Sequence, residues 1–526
     1  MRHSLSQGVL SATLPAALWA ALLAPDVATA ADPTATAHQP MPDQSQPIAA
    51  GAAALPPQSD HDPDHDHDHE QDGDPGTGGA SRFFDPRLSI ILDGNFYQDG
   101  IGGEGSVLVG EAYQPFQGLS HDHAADAALA SDAHAHGTAR NGFNFRSAEL
   151  VFDTTLGPYL ETRAYLMVDG TGETDLEELW LQTRGLPFGL RLKGGRFLSD
   201  FGYVNRQHPH EWDFVDQNLP YLNLLGPHGL QDQGVQLTWQ PELPSHSVVG
   251  HLRLGAELAQ GNQEVFGATL DRAEQQAQAL NDTVNGPRLW TAFAKVGPDL
   301  GEHDSLQFGL SYAHNRQHQA VVPYSVPASQ APVVEEHHHE ESPLETDAAA
   351  VVIPHHATTE EATVPVQTIG LEGSAGLWGL DLVYRHAGQG AEGQGDFKFQ
   401  AEYLRSIKDL SIRASPDPVL LGQNVTLTTD GLYAQALFGF APRWTAGLRY
   451  DVLGLTNQAQ GGGMGASFGS SERWTIDVAW RPWKYSTLRA QYAWNDILIA
   501  PGERERFDAF YLQLLLEFGT HGGHTH

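Results

Sequence analysis

From Phe83 onward the chain alternates apolar and polar side chains over short segments set apart by Gly, Pro, Asn and Asp. A period of two places successive side chains on opposite faces of an extended strand. In Leu160–Val168 one face carries Leu160, Thr162, Ala164, Leu166 and Val168, and the other Glu161, Arg163 and Tyr165. In Trp444–Val452, Trp444, Ala446, Leu448, Tyr450 and Val452 oppose Thr445, Arg449 and Asp451. Trp474, Ile476, Val478 and Trp480 form a third apolar face, and Leu488, Ala490, Tyr492 and Trp494 a fourth. Segments of about ten residues with aromatic ends and a charged opposite face predict strands that meet lipid on one side and water on the other.

A soluble β-sandwich also alternates. The connections separate the two. Gly157-Pro158, Ala441-Pro442 and Pro482-Trp483-Lys484 are tight, whereas the intervening connections are long, as in barrels with short periplasmic turns and long outer loops. Phe510, Leu512, Leu514, Leu516 and Phe518 give a final strand with an aromatic end, of the kind the barrel-assembly machinery reads. The spacing predicts an all-β fold: a transmembrane antiparallel β-barrel of about 16–18 strands with a disordered N-terminal arm. The fuller count is about 18, and the segment near Leu410–Arg413 with one neighbour separates it from 16. A periplasmic N-terminus puts Asp99–Asn141, Leu198–Gln231, Gln260–Gly286 and Asn315–Val364 outside the cell.

The rest of the chain fits that placement. Residues 1–30 read as a signal peptide: Arg2, an apolar run over Val9–Leu23, and Ala28-Thr29-Ala30 at the cleavage site. Residues 31–82 are Pro, Ala, Gln, Asp, His and Gly with almost no large apolar side chains, too few to offset the entropy of ordering. The barrel occupies 83–518, and 519–526 forms a His-rich tail. No later segment offers about 18 consecutive apolar residues, so no membrane helix is expected. The expected location is the outer membrane of a Gram-negative cell.

Charge and composition narrow the chemistry. The chain holds 65 acidic and 29 basic residues, a formal charge of −36. This argues against nucleic acid as a partner and favours cations. There is no Cys, so a metal must be held by His, Asp or Glu. The 27 histidines cluster in the predicted connections and tails. His61, His65, His67 and His69 alternate with acids in the N-terminal arm. His121, His123, His134 and His136 lie in the first outer connection. His208, His210, Asp213 and His228 lie in the next long one, among Trp212, Phe214 and Tyr221, with Pro209 holding its neighbours extended. His337, His338, His339, His355 and His356 lie further on, and His524 and His526 close the tail. Imidazole beside carboxylate suits Zn²⁺ and similar borderline divalent ions, and in a flexible segment gives weak, exchangeable sites. The competing readings are a soluble polar linker, pH sensing, and a plug-like loop whose His and Asp make hydrogen bonds.

The stretch Gly194–Trp239 and the opening "FDPRLSIILDGNFY", Phe84–Tyr97, resemble His-rich, zinc-associated outer-membrane proteins of proteobacteria. That family is porin-like, related in architecture to phosphate-selective porins and sometimes labelled TonB-dependent receptors. The resemblance covers most of Phe83–Phe518 and implies an outer-membrane channel tied to zinc acquisition. The receptor label fits poorly here. Such receptors carry about 22 strands and a plug, and residues before Leu88 offer no core for one.

No H-E-x-x-H, G-x-S-x-G or phosphate loop is present, so no enzyme is expected. The resulting expectation is a passive channel that needs no cofactor and carries Zn²⁺ or another divalent cation. The outer His/acid loops capture the ion, and a lumen lined by Glu161, Arg163, Arg449, Asp451 and Asp477 passes it. Expected partners are membrane lipid, the metal ion and the assembly machinery, with a homo-oligomer compatible. The alternatives are a metal-buffering barrel with an occluded lumen and a general or anion-selective porin.

Overall fold

In the computed structural model the described residues are 86–115, 139–170, 172–243, 249–263, 265–282, 285–298, 300–323, 368–461 and 464–519. They form a closed antiparallel barrel. Its strands are β1 (Arg87–Asp99), β2 (Gly142–Leu156), β3 (Leu160–Val168), β4 (Thr174–Thr183), β5 (Leu190–Leu198) and β6 (Gln231–Trp239). They continue as β7 (His251–Ala259), β8 (Leu289–Gly297), β9 (Asp304–Pro323), β10 (Thr368–His386), β11 (Phe397–Ala414) and β12 (Asn424–Ala441). The last are β13 (Trp444–Gly461), β14 (Met464–Ser467), β15 (Ser471–Trp480), β16 (Ser486–Ala500) and β17 (Glu503–Gly519).

Each strand pairs with its sequence neighbours, and β1 pairs with both β2 and β17, so the ring has no free edge. β14 and β15 pair with the upper and lower parts of β13, so they are one interrupted strand and the ring has 16. The fuller count of about 18 is therefore too high. Leu410–Arg413 is the end of β11, where it pairs with β10, and no separate strand. β9 also runs on to Pro323, past the expected start of the fourth long connection at Asn315. At 20 and 19 residues, β9 and β10 exceed the nine to eleven or so that cross a bilayer, and they project beyond it.

The strand ends joined by the long connections, β1 to β2, β5 to β6, β7 to β8 and β9 to β10, share one end of the barrel, and both chain ends of the ring lie at the other. The asymmetry is partial: 169–173 and 501–502 at the outer end are short. Burial alternates along the strands as the pattern predicts, with β15 reading buried–exposed over most of its length. Outward-facing Leu380, Leu448, Ile476, Leu512 and Leu514 are exposed apolar side chains. Trp444 stacks on Trp480, their ring centroids 5.4 Å apart, and Tyr450 packs on Trp474 at 4.5 Å. A closed ring with an apolar exterior and aromatic belts is stable only in a bilayer, and strands span there because pairing satisfies every backbone group. The protein is an outer-membrane β-barrel. No helix among the described residues is long and apolar enough to cross a membrane.

Candidate functional site: a loop inserted across the lumen

Between β5 and β6 the chain does not stay at the rim. Residues 199–230 fold into the barrel, burying Phe201, Phe214, Leu219, Tyr221, Leu224 and Leu225 almost completely. Trp212, Phe214 and Tyr221, which the sequence places among the candidate ligands, are all buried there. Asn218 caps the helix Leu219–Leu225 by accepting from Tyr221 N at 3.0 Å, with Pro220 in its first turn.

The loop is fastened to the inner wall around most of the ring. Glu402 on β11 accepts from the backbone N–H of Tyr203 (2.7 Å) and Val204 (3.0 Å), from the Tyr221 hydroxyl (2.7 Å) and from the Tyr433 hydroxyl. Gly202, at φ 61°, makes this approach possible, because an added Cβ would overlap the Tyr221 hydroxyl and the Glu402 carboxylate. Lys295 on β8 donates to Gly202 O at 2.6 Å, and Arg489 on β16 to Trp212 O at 3.0 Å.

Three loop aspartates meet three sets of cations. Asp200 pairs with Arg206 at 3.0 Å and with Arg253 on β7. Asp213 accepts from Lys398 on β11 at 2.6 Å and from Gln435 on β12 at 2.7 Å. Asp216 receives Arg449 on β13 and Arg473 on β15, each at 2.7 Å, and Gln491 on β16 at 2.8 Å. Burial alone would raise these carboxyls, but the cations outweigh it and all three lie below the usual carboxylate range. Asp213, expected as a metal ligand, is thus a loop anchor whose charge is already matched. Arg449 and Asp451, expected to line an open lumen, are buried against the loop and against each other at 3.1 Å.

On the opposite wall the chemistry changes. Pro209 keeps His208 extended, as expected, but not His210. It opens a 3₁₀ turn, Pro209–Glu211, and Glu211 caps it by accepting from His208 N at 3.3 Å. The turn sets the His208 and His210 rings nearly parallel, 7° and 6.2 Å apart, with His208 also 4.0 Å from the Tyr165 ring. His210 Nδ1 lies 3.2 Å from Glu149 on β2. His208 lies between two carboxylates of β4: Nδ1 is 4.0 Å from Glu177 and Nε2 is 3.6 Å from Glu178. Burial pushes the His208 imidazole well below its ordinary value, with His210 and Arg163 adding to the effect. His228 lines, with His208, Glu177, Asn205 and Gln207, a cavity of about 30 Å³.

Of the predicted metal residues, His208, His210 and His228 are therefore gathered in the lumen. His61, His65, His67, His69, His121, His123, His134, His136, His337, His338, His339, His355, His356, His524 and His526 lie outside the described residues. Glu149, Glu177 and Glu178 were missed. Glu149 stands on the inward face of an alternating strand, where a carboxylate reads as ordinary lumen lining, whereas the adjacent Glu177 and Glu178 are both buried because a bulge in β4 breaks the period of two. Among the described residues no three His, Asp or Glu side chains already converge as a ligand set.

No family model matches the chain. It is 28% identical over 450 residues to an uncharacterised protein of Aquifex aeolicus, covering 85% of this chain and 81% of that one. Among solved structures it is similar to OmpTdeltaL8, a loop-deletion mutant of the Vibrio cholerae outer-membrane protein OmpT (10% identity, TM-score 0.43, 83% of this chain and 100% of that one). It is also similar to OprB of Pseudomonas putida (10%, TM-score 0.43, 83% and 95%) and to the anion-selective porin of Comamonas acidovorans (11%, TM-score 0.41, 83% and 100%).

Proposed function

We propose that the protein is an outer-membrane channel for uptake of divalent metal ions, zinc foremost, with its His/acid-rich connections capturing the ion. The observation that supports this is the pairing of imidazole and carboxylate at the inserted loop: His208 with Glu177 and Glu178, and His210 with Glu149. Such a set favours borderline divalent cations over anions. It sits where the inserted loop meets the inner wall, at β2 and β4. The transport expected is passive, and no catalytic role is assigned to these groups.

The second reading is a metal-binding barrel with an occluded lumen. It is favoured by the breadth of the loop's attachment, which reaches from Glu149 on β2 to Gln491 on β16. Planar-bilayer recording of the purified, refolded full chain separates the two. A channel gives open steps whose reversal potential follows the cation gradient and whose conductance changes with Zn²⁺. A silent bilayer removes the channel reading, and an anion-following reversal potential removes the cation cargo.

A further inference from the structure

The environment of one ring nitrogen carries the reading above to particular atoms. His208 is 2% exposed, and its Nε2 has no hydrogen-bond partner. Burying a polar atom without a partner is unfavourable, so an unfilled position of this kind needs a reason. The nearest acidic oxygen is Glu178 Oε1 at 3.6 Å. That separation is too long for a hydrogen bond. It is close to the distance between two ligands of one ion: with metal–ligand bonds of about 2.0–2.2 Å and a tetrahedral angle, nitrogen and oxygen stand about 3.4 Å apart.

We propose that His208 Nε2 and the Glu178 carboxylate are the two protein ligands of a divalent-cation transit site at the constriction, with water in the remaining positions. The inference rests on the metal-cargo reading above and names the atoms that meet the cargo. The surroundings are those a ligating histidine and carboxylate need. The other Glu178 oxygen is held by Trp180 Nε1 at 2.6 Å, which orients the carboxylate. The other ring nitrogen of His208 faces Glu177, whose nearest oxygen is 4.0 Å away. The turn at Pro209 and the Tyr165 ring fix the imidazole. The adjoining cavity of about 30 Å³ has room for water.

Charge points the same way. Glu149, Glu177, Glu178 and Glu211 are all buried here; Lys193 and Arg163 act on Glu178, but Arg163 also pairs with Asp153, and Arg146 pairs with Asp93 at 3.1 Å, so carboxylates outnumber the cations around them. Buried carboxylates need a counter-charge, which a dication supplies. Two protein ligands, where a structural site has about four, make a site that releases its ion. Retention would defeat transport.

The test is anomalous diffraction at the zinc edge from crystals of the full chain soaked in Zn²⁺. The expected result is a peak about 2.0–2.2 Å from both His208 Nε2 and Glu178. In His208→Ala and in Glu178→Gln the apparent affinity of that peak falls about tenfold or more. Glu178→Gln keeps the side-chain shape and serves if His208→Ala fails to assemble, with heat-modifiable migration as the folding check. Zinc found only on exposed histidines, or an equal peak in both variants, overturns the site. A silent bilayer with the peak present overturns the channel and leaves the site standing. A conducting chain without the peak does the reverse.

Discussion

Arg473, fully buried on the inner face of β15, places Nη1 2.7 Å from Asp216 of the inserted loop. Arg449 reaches the other Asp216 oxygen at the same distance, and Asp451 lies behind both arginines. The four alternate in sign, so each charge has a partner where water is scarce. Removing one member of such a set leaves a buried charge uncompensated and costs about 3–5 kcal/mol. Asp216→Asn is expected to free the loop from this wall while the ring stays closed. Single-channel conductance should rise, with heat-modifiable migration retained. Unchanged conductance and unchanged protease resistance of 199–230 would show that the latch does not hold the constriction.

The same aspartates fix a pH dependence. Asp200, Asp213 and Asp216 are held below the ordinary carboxylate range in the folded protein by Arg253 with Arg206, by Lys398, and by Arg473 with Arg449. A group whose folded value is depressed binds fewer protons folded than unfolded, so acid favours the unlatched state. The stabilisation is whole above the unfolded value, about 3.9, and is lost as pH falls below it. Conductance and protease resistance of the loop should therefore hold from pH 7 to pH 5; only below about pH 4 should resistance fall and conductance rise. Loosening between pH 7 and 5 would assign the latch to other groups.

Gly202 tests the other wall. Its positive φ and the closeness of Tyr221 and Glu402 leave no place for a methyl group. Gly202→Ala should push the loop off Glu402, which loses charge-assisted bonds each worth about 1.5–3 kcal/mol. Limited proteolysis should then cleave within 199–230. Wild-type resistance in the variant would mean that the loop's position does not depend on this approach.

The barrel was legible because its signal is local. Leu160–Val168, Trp444–Val452, Trp474–Trp480 and Phe510–Phe518 each show their period within one strand, and all are strands. The 16 strands fall within the expected range, and its upper end came from a strand that outruns the bilayer: Leu410–Arg413 extends β11 beyond the usual crossing length. The site was half legible. His208 and His210 announce themselves by spacing, but their carboxylates come from β2 and β4, which only the closed ring brings near. Asp213 looks like a ligand in sequence, but it and Asp216 become anchors because Lys398, Arg449 and Arg473, far along the chain, face them.

The N-terminal arm offers a prediction from composition alone. His61, His65, His67 and His69 alternate with carboxylates in a segment without core residues. Deleting Asp60–Glu70 should leave assembly intact and lower cellular zinc accumulation when zinc is limiting. Equal accumulation would remove the arm from the uptake route.

The membrane placement itself can be challenged at Leu448. This side chain points out of β13, 48% exposed, between the Trp444–Trp480 and Tyr450–Trp474 pairs. In water an arginine there would cost little, since the position is a surface. In hydrocarbon it must be carried toward the interface or drag water inward, at about 2–4 kcal/mol near the bilayer midplane. Leu448→Arg should therefore lower unfolding stability in lipid vesicles by that amount, as read from the denaturant midpoint at unchanged m-value. A variant as stable as wild type would mean that this face does not meet lipid, and the outward half of the alternation would need another solvent.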